Sequence, residues 1–547
     1  MSDELVFLPL GGAGEIGMNL NLYGFGPPGK RRWLMVDLGV TFGGDAQPGA
    51  DVIMPDPAFI AERRDRLEGL VLTHAHEDHL GAVPYLWERL QCPIYATPFT
   101  RSVLKRKLDE VGVRPEIIEV PMSGRFTIGP FDLELITLTH SIPEPNAIAI
   151  RTALGTVLHT GDWKLDPGPV IGPTADEDAL RRVGEEGVLA MVCDSTNVFV
   201  PGVSGSESDL LSSLTAIIGG CGGRVAVSCF SSNVARLETI AAAAAANGRN
   251  TGLAGRSLRR FDAAARENGY LASTPAFLAE DEVGFLPRDK ALIICTGSQG
   301  DPRAALARIA NGSHAHVTLE EGDTVIFSAR VIPGNEAAIA RLQNRLTALG
   351  VRIITERDHM VHVSGHPARD ELVEMYQFVR PRIAVPVHGE LRHMVEHASL
   401  ARECQVPETV VAENGAMVRL GPGPAAIVER VPTGRLTLDG KRLIKIDGEA
   451  MRGRRRALFN GALVVTVVLD SDGRLAAEPR LTALGLLEED ETADPVIAAV
   501  KKAVRACRKK EILDDDAVSE EVRIAARRVF REIYGKKPVT SVHLVRI

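Results

Sequence analysis

The chain has no Cys-x-x-Cys pair; its seven cysteines stand singly at positions 92, 193, 221, 229, 295, 404 and 507. That usage suits a reducing compartment, with the thiols serving as small buried apolar side chains. No uninterrupted apolar run approaches the roughly 18 residues of a membrane span, and the opening Met-Ser-Asp-Glu lacks the basic and apolar stretches of a secretory leader. A cytoplasmic protein without membrane attachment is expected. Positive charge is not in surplus: 63 Lys and Arg face 71 Asp and Glu, a net charge of −8. A chain-wide electrostatic embrace of nucleic acid is therefore excluded, and any polyanion must be held by a local patch. Internal repeats and low-complexity tracts are also missing, apart from the helix-favouring alanine run 241–246. What remains, 547 residues with 45% hydrophobic and 24% charged side chains, is ordinary globular composition with room for about three domains.

The residues present read as α/β. Short apolar or alternating runs at 5–10, 19–25, 33–37, 69–73 and 131–139 predict strands punctuated by Gly and Pro, with helices near 81–90 and 100–110. After Asp194 strands and helices alternate regularly: strand 224–229, a helix through 236–246 stopped by Asn247-Gly248, strands 291–295 and 324–327, helix 336–349 and strand 352–354. This is the rhythm of a separate parallel sheet. Strand character returns at 383–387. Beyond Gly448 the basic stretch 451–456 is poor in order signals and is expected to be a linker. A compact unit follows, with strands 462–470 and 475–481 around the turn Ser471-Asp472-Gly473, amphipathic helices near 495–513 and 519–534, and a closing strand 541–547.

Gly12-Ala-Gly14-Glu-Ile-Gly17 follows a strand, and Asp37 stands at the spacing a dinucleotide site would want. The context is wrong for that use. Such a turn must open a helix, yet 18–25 alternates apolar and polar residues, Pro27-Pro28-Gly29 turns, and 33–37 is strand again. A glycine-lined loop beside an active site is the better reading.

The chemistry is concentrated after the strand Gly-Leu-Val-Leu-Thr, where His74-Ala-His76-Glu-Asp78-His79 places three imidazoles and an aspartate in six residues. Chance would produce this pattern in roughly 10⁻³ of such chains. In an extended loop His74 and His76 project to one side and bind one ion, while Asp78 and His79 begin a turn that aims them at a second ion. Further ligands are needed, and His140, Asp162 and His388 each close an apolar strand. Polar side chains at successive strand ends above one sheet edge make a site together where none would alone.

His-x-His-x-Asp-His with a strand-end His and a strand-end Asp resembles the metallo-β-lactamase superfamily. Far more chain lies between Asp162 and His388 than one sandwich needs, which implies an inserted domain and resembles the β-CASP nucleases. Their marks occur in order: Cys-Asp194-Ser-Thr-Asn, His362-Val-Ser-Gly-His366 and His388. The strings Gly11–Gly17, Phe230-Ser-Ser-Asn233, Thr296-Gly-Ser-Gln-Gly300, Ile332-Pro-Gly-Asn-Glu336 and Pro386-Val-His-Gly-Glu390 together are similar to the ribonuclease J family over nearly the whole chain. Ala235 stands where that family more often has His.

The resemblance implies an α/β fold: a metallo-β-lactamase αββα sandwich (1–205 and 356–448), an inserted α/β β-CASP domain (206–355), a linker (449–458) and a small α+β C-terminal domain (459–547). It implies a metal-dependent ribonuclease working 5′ to 3′ from monophosphate ends, with some internal cleavage, in RNA maturation and decay. Two Zn²⁺, with Mn²⁺ also accepted, are implied as cofactors on His74, His76, Asp78, His79, His140, Asp162 and His388, with Asp162 bridging. Asp78, Asp194 and His366 are the implied catalytic residues, His366 being the acid that Asp194 orients. Ser231, Ser232, Asn233, His362, Val363, Ser364, Gly365 and His366 are the implied phosphate contacts. Asp37, at a strand end, is expected to steer a ligand imidazole.

RNA is the expected partner. Seven Arg between 224 and 270, against three acids, are expected to supply the local basic patch. The two C-terminal helices carry apolar stripes (Val496, Val500, Val504; Val522, Ala525, Val529, Ile533) that two or three strands would not cover, so something else must cover them. The family resemblance implies self-association, a homodimer or homotetramer through this domain. Two other readings compete: a thioester or lactam hydrolase on the same fold, and an RNA-binding subunit with a dead site.

Overall fold

The computed structural model describes residues 2–44, 47–507, 512 and 514–547. The chain forms two compact units, one of Met1–Thr41 and Met54–Gly434, the other of Phe42–Ile53 and Arg435–Ile547. In the first, two sheets face each other. One has eight strands in the order Ala426–Arg430, Ala416–Gly421, Glu4–Gly11, Leu20–Gly26, Arg32–Val36, Leu67–Val71, Ile94–Ala96 and Ile117–Glu119. The other has seven, in the order Arg125–Ile128, Phe131–Thr137, Asn146–Thr152, Gly155–His159, Val188–Asp194, Ile383–Val387 and Glu408–Thr409. The strands are near-continuous apolar text because both of their faces are covered. Leu5, Phe7, Leu34 and Val36 of the first sheet meet Leu133, Ile148, Val157, Val192 and Val385 of the second in one buried layer. Each such side chain contributes roughly 1.5–3 kcal/mol relative to exposure. The outer face of the second sheet packs against helices Glu177–Glu186, Arg369–Val379 and Leu391–Glu403.

Strands Val188–Asp194 and Ile383–Val387 are parallel neighbours, with Asp194 opposite Val387. Between them in sequence the chain builds a separate five-stranded sheet, Asn250–Ala254, Ala291–Cys295, Val225–Ser228, Thr324–Phe327 and Arg352–Ile354. All its pairings are parallel, and cores form on both its faces. The excursion therefore starts and ends at adjacent positions of one sheet edge. This brings Asp194, His366 and His388 back beside the strand ends that carry His74, His140 and Asp162.

Three expectations for the C-terminal part are corrected. The segment read as a linker is a helix, Glu449–Asn460, whose Arg454 pairs with Asp439 at 2.6 Å. Its arginines read as disorder only when their partners are unknown. The second hairpin strand falls at Arg480–Leu484 rather than 475–481, because after the turn at 471–473 the chain makes a single bridge at Leu475 before pairing in register with 462–466. The helices, Asp494–Ala506 and Asp515–Tyr534, are covered by their own unit: Val496, Val500, Val504, Val518, Val522, Ala526 and Phe530 bury against Leu463, Val465, Val467 and Leu469. The buried stripe of the second helix is Val518, Val522, Ala526 and Phe530, whereas Ile533 is exposed. The expected end of the first helix at Leu513 lies outside the described residues.

Candidate metal centre and active site

Strand Leu67–Val71 runs out through buried Leu72 and Thr73 into an extended His74-Ala75-His76, and helix Glu77–Leu80 begins with Asp78 and His79 in its single turn. The neighbouring backbone holds this loop. Leu38 N–H donates to the His79 carbonyl at 2.6 Å, Val40 N–H to Glu77 at 3.0 Å and Asn19 N–H to Asp78 at 2.9 Å. Gly39 must be glycine, since a Cβ there would lie 1.7 Å from the Asp78 carbonyl oxygen. Gly17, at φ 87°, lets the chain pass the Asp78 side chain, and the Gly12 carbonyl accepts from His388 N–H at 2.6 Å. The string resembling a dinucleotide motif is thus the floor beneath the histidine loop, and a strand, Leu20–Gly26, follows it.

Nine side chains converge in overlapping groups: His74, His76, His140 and Asp162; Asp78, His79, Asp162 and His388; and Asp162 with Asp194, His366 and His388. Within each group the ligand atoms lie within 4.8 Å of one another. His76 Nδ1 stands 3.0 Å from both His74 Nε2 and His140 Nε2. Asp162 Oδ2 is 3.1 Å from His79 Nε2 and 3.7 Å from His388 Nε2, and Asp78 Oδ2 is 3.1 Å from His388 Nε2.

The outward ring nitrogens decide which nitrogen faces in. His79 Nδ1 donates to Asp37 Oδ2 at 2.7 Å, His140 Nδ1 to the Gly365 carbonyl, and His388 Nδ1 to Thr196 Oγ1 at 2.9 Å. Thr196 passes its own proton to Asp194 Oδ1 at 2.7 Å. Thr73 Oγ1 donates to Asp37 Oδ2 at 2.8 Å and is left to accept from His74 Nδ1 at 3.0 Å. With Nδ1 occupied, each of these rings presents an Nε2 lone pair inward, whereas His76 presents Nδ1. Asp37 also takes Thr73 N–H at 2.8 Å, and both Asp37 and His388 adopt left-handed backbone, at φ 64° and 51°. Such conformations cost roughly 1–3 kcal/mol and persist where surrounding bonds over-determine them.

The two halves of the cluster differ electrostatically. Burial, with neighbouring imidazoles adding to it, holds His74 and His140 well below the usual histidine range, and burial brings His76 down to about 4. Burial opposes charge on His79 and His388 too, but there the carboxylates of Asp162, Asp78 and their neighbours outweigh it and raise both rings well above that range. His74 Nε2 and His140 Nε2 both turn a lone pair toward His76 Nδ1, where a single proton could satisfy only one of them, whereas a cation between the three rings satisfies all. Asp162 Oδ1 is moreover buried without a hydrogen-bond partner. An all-imidazole and carboxylate donor set of this kind fits Zn²⁺ well.

Beside the cluster, His366 Nδ1 contacts Asp194 Oδ2 at 2.7 Å. Burial disfavours the imidazolium, yet Asp194 and Asp162 prevail and raise His366 above its ordinary value. Asn197 Nδ2 donates to Ser364 Oγ at 2.8 Å and to the His366 carbonyl at 3.1 Å, and so shapes the 362–366 turn. Gly365 passes so close to His140 that a Cβ would stand 2.8 Å from its ring. Val363 packs into the core of the inserted sheet and offers a ligand only its backbone. Ser231 and Ser232 are half-buried at the end of strand Val225–Ser228, and Asn233 caps helix Val234–Ala246 by accepting Arg236 N–H at 2.9 Å.

The expected arginine patch does not form. Arg224, Arg236 and Arg249 are buried and bind backbone carbonyls, among them Thr318, Ser328 and Gly223. Arg259, Arg260 and Arg266 pair with Glu280, Glu110 and Asp262. Charge counting along the chain cannot distinguish a structural guanidinium from a surface one. Thr73, Thr196 and Asn197 received no role from the sequence, although Thr196 and Asn197 stand in the Asp194-Ser-Thr-Asn string itself.

Comparison with known proteins places these features. Residues 25–184 match the Metallo-beta-lactamase superfamily, 222–346 the Ribonuclease J beta-CASP domain, 334–411 the Zn-dependent metallo-hydrolase RNA specificity domain, and 449–547 the Ribonuclease J C-terminal domain. Ribonuclease J of Sinorhizobium meliloti is 48% identical over 100% of this chain and 98% of its own length. Ribonuclease J of Mycolicibacterium smegmatis is 39% identical over 98% of this chain and 96% of its own, and that of Thermus thermophilus is 36% identical over 94% and 91%. A crystal structure of a protein of unknown function from Enterococcus faecalis V583 superposes at a TM-score of 0.53 with 15% identity, covering 76% of this chain and all of that one, a likeness of fold alone.

Proposed function

The chain belongs to the ribonuclease J family of metal-dependent RNA hydrolases, and from that premise we propose how its residues divide the work. The observation that carries the proposal is the meeting of three ligand groups on Asp162 with the His366–Asp194 pair alongside. His74, His76 and His140 would hold one Zn²⁺ and Asp78, His79 and His388 a second, with Asp162 shared; Mn²⁺ suits the same donors. Bound there, the ions supply charge neutralisation for the phosphoryl oxygens and lower the pKa of water.

The remaining steps belong to the side chains. Asp78, with 30% of its side chain exposed, would be the carboxylate that takes up the proton lost by the reacting water. Water oxygen bonds to phosphorus as the P–O3′ bond breaks, and His366 gives its proton to the departing 3′ oxygen. Asp194 on Nδ1 keeps the ring charged and turned toward that oxygen. His362, Ser364 and the backbone of Val363 and Gly365 hold the scissile phosphate. The Ser231-Ser232-Asn233 turn, at the start of a helix, receives the 5′ monophosphate and measures one nucleotide per cycle. In this reading 1–205 with 356–448 form the catalytic sandwich, 206–355 the substrate-gripping insertion and 459–547 the C-terminal domain. With its seven described cysteines all free and no described helix long and apolar enough to cross a membrane, the chain suits RNA maturation and decay in the cytoplasm.

One RNA carrying either a 5′ monophosphate or a 5′ triphosphate, digested in parallel with products resolved by length, tests this reading. Mononucleotides released from the monophosphate form at a rate at least about tenfold higher are expected. Equal rates on both forms would remove the 5′ pocket, and intact RNA with metal supplied would remove the hydrolytic assignment.

Self-association through residues 459–547 rests on the sheet rather than the helices. Its helix-free face and edge leave Leu484, Val539, Val545 and Ile547 exposed, and among the described residues strand Val539–Arg546 pairs on one side only. A homodimer or homotetramer covering that surface is expected. A chain ending at Asn460 should then show a lower oligomeric mass by light scattering with its metal content retained; unchanged mass would sink the assignment.

A further inference from the structure

His362 stands at the end of the inserted segment, directly against an arginine from its beginning. Arg236 lies in the first turn of helix Val234–Ala246 and is fully buried. Its Nε donates to Glu207 Oε1 at 2.6 Å and its Nη2 to Glu207 Oε2 at 3.0 Å. Its Nη1 donates to Ser328 Oγ at 2.7 Å, to the Ser328 carbonyl at 3.0 Å and to the Val361 carbonyl at 3.3 Å, and reaches His362 Nδ1 at 3.5 Å. Glu207 is fixed in turn, its N–H donating to Asp166 Oδ2 at 3.0 Å, and Asp166 pairs with buried Lys164 at 2.8 Å. Lys164 is two residues beyond Asp162, so a buried polar chain joins the metal-ligand loop to His362 through Arg236.

A buried ion pair is a weak device for stability alone, since apolar replacements of similar volume are often as stable. Geometry is what this one supplies. A guanidinium has five N–H donors, no acceptor, and keeps its proton. Nη1 has two hydrogens and three closer acceptors, so its 3.5 Å approach to His362 Nδ1 is a weak contact. A cation with no acceptor still favours a lone pair over an N–H on the nitrogen that faces it, and a neutral ring then bears its hydrogen on Nε2. Burial, followed by the charges of Arg236, Arg330 and Lys164, keeps this ring neutral at physiological pH, opposite to His366 four residues later. A ring so held offers a phosphate oxygen an N–H without itself titrating.

We propose that Arg236 is a positioning residue that fixes His362 as its Nε2–H tautomer and locks the 362–366 turn to the segment by which the chain first enters the inserted domain. The inference rests on the reading that His362 touches the substrate phosphate, and the test separates the two. With histidine labelled in ¹⁵N in the full-length chain, and the His362 signal identified by its loss in His362→Gln, the ring should appear as neutral Nε2–H; an Nδ1–H ring or an imidazolium overturns the proposal. On 5′-monophosphorylated RNA, His362→Gln and Arg236→Met should each raise KM by about tenfold with metal content unchanged, and the double variant should be no worse than His362→Gln alone. If His362→Gln leaves KM unchanged, its phosphate contact is wrong. If His362→Gln raises KM but the two effects multiply, the contact stands and the Arg236 role fails. Should Arg236→Met not fold, the spectrum of the unmodified chain still decides.

Discussion

Asp162→Asn is expected to abolish RNA hydrolysis and to lower tightly bound metal by at least half, measured by elemental analysis after desalting. Asp162 belongs to all three ligand groups, its Oδ2 lies 3.1 Å from His79 Nε2, and its Oδ1 is buried with no protein partner. Asparagine keeps the volume but replaces an anionic oxygen, the one donor that all three groups share, by a neutral amide. Metal affinity and transition-state charge stabilisation should fail together, because both use the same oxygens. Full metal occupancy with ordinary turnover would refute the shared-ligand assignment.

His366→Ala should leave metal content intact and slow cleavage of RNA by about 10² to 10⁴ fold, the usual worth of a general acid. The loss should shrink with an aryl phosphodiester whose leaving group needs no proton. The pH profile separates acid catalysis from simple positioning. Because Asp194 and Asp162 raise the pKa of His366, its acid form persists above the ordinary histidine value and is lost as pH rises through the raised one. The unmodified chain should therefore show a falling alkaline limb in kcat that the alanine variant lacks. Equal damage on the activated substrate, with that limb retained, would make His366 a substrate-holding residue only.

The residues proposed as metal ligands were legible because their signals are local. Three imidazoles and an aspartate in six residues need no tertiary information to be noticed, and strand-end His140, Asp162 and His388 follow from apolar runs that stop at a polar side chain. The same holds for the sandwich and the inserted sheet, whose strands at 291–295, 324–327, 352–354 and 383–387 have the bounds that hydrophobic pattern predicts. Asp37 could be suspected from its strand end alone, and its bond to His79 at 2.7 Å spans only 42 residues.

Sequence by itself thus determined the fold class, the family and the side chains from which a metal centre can be made, since each is written in short-range periodicity and spacing. Tertiary structure alone decided which ring nitrogens face inward, because Thr196 reaches His388 across 192 residues and Gly365 reaches His140 across 225. It also decided what charge means. The arginines read as an RNA-binding patch are mostly buried or paired, and the basic stretch read as a linker is a helix. The C-terminal helices bury their apolar faces against their own sheet, the first along the expected Val496, Val500 and Val504 and the second along Val518, Val522, Ala526 and Phe530. A guanidinium carries the same formal charge on a surface as in a core; only the partners folded against it determine whether that charge is free to meet a phosphate or is spent on Glu207 and Ser328.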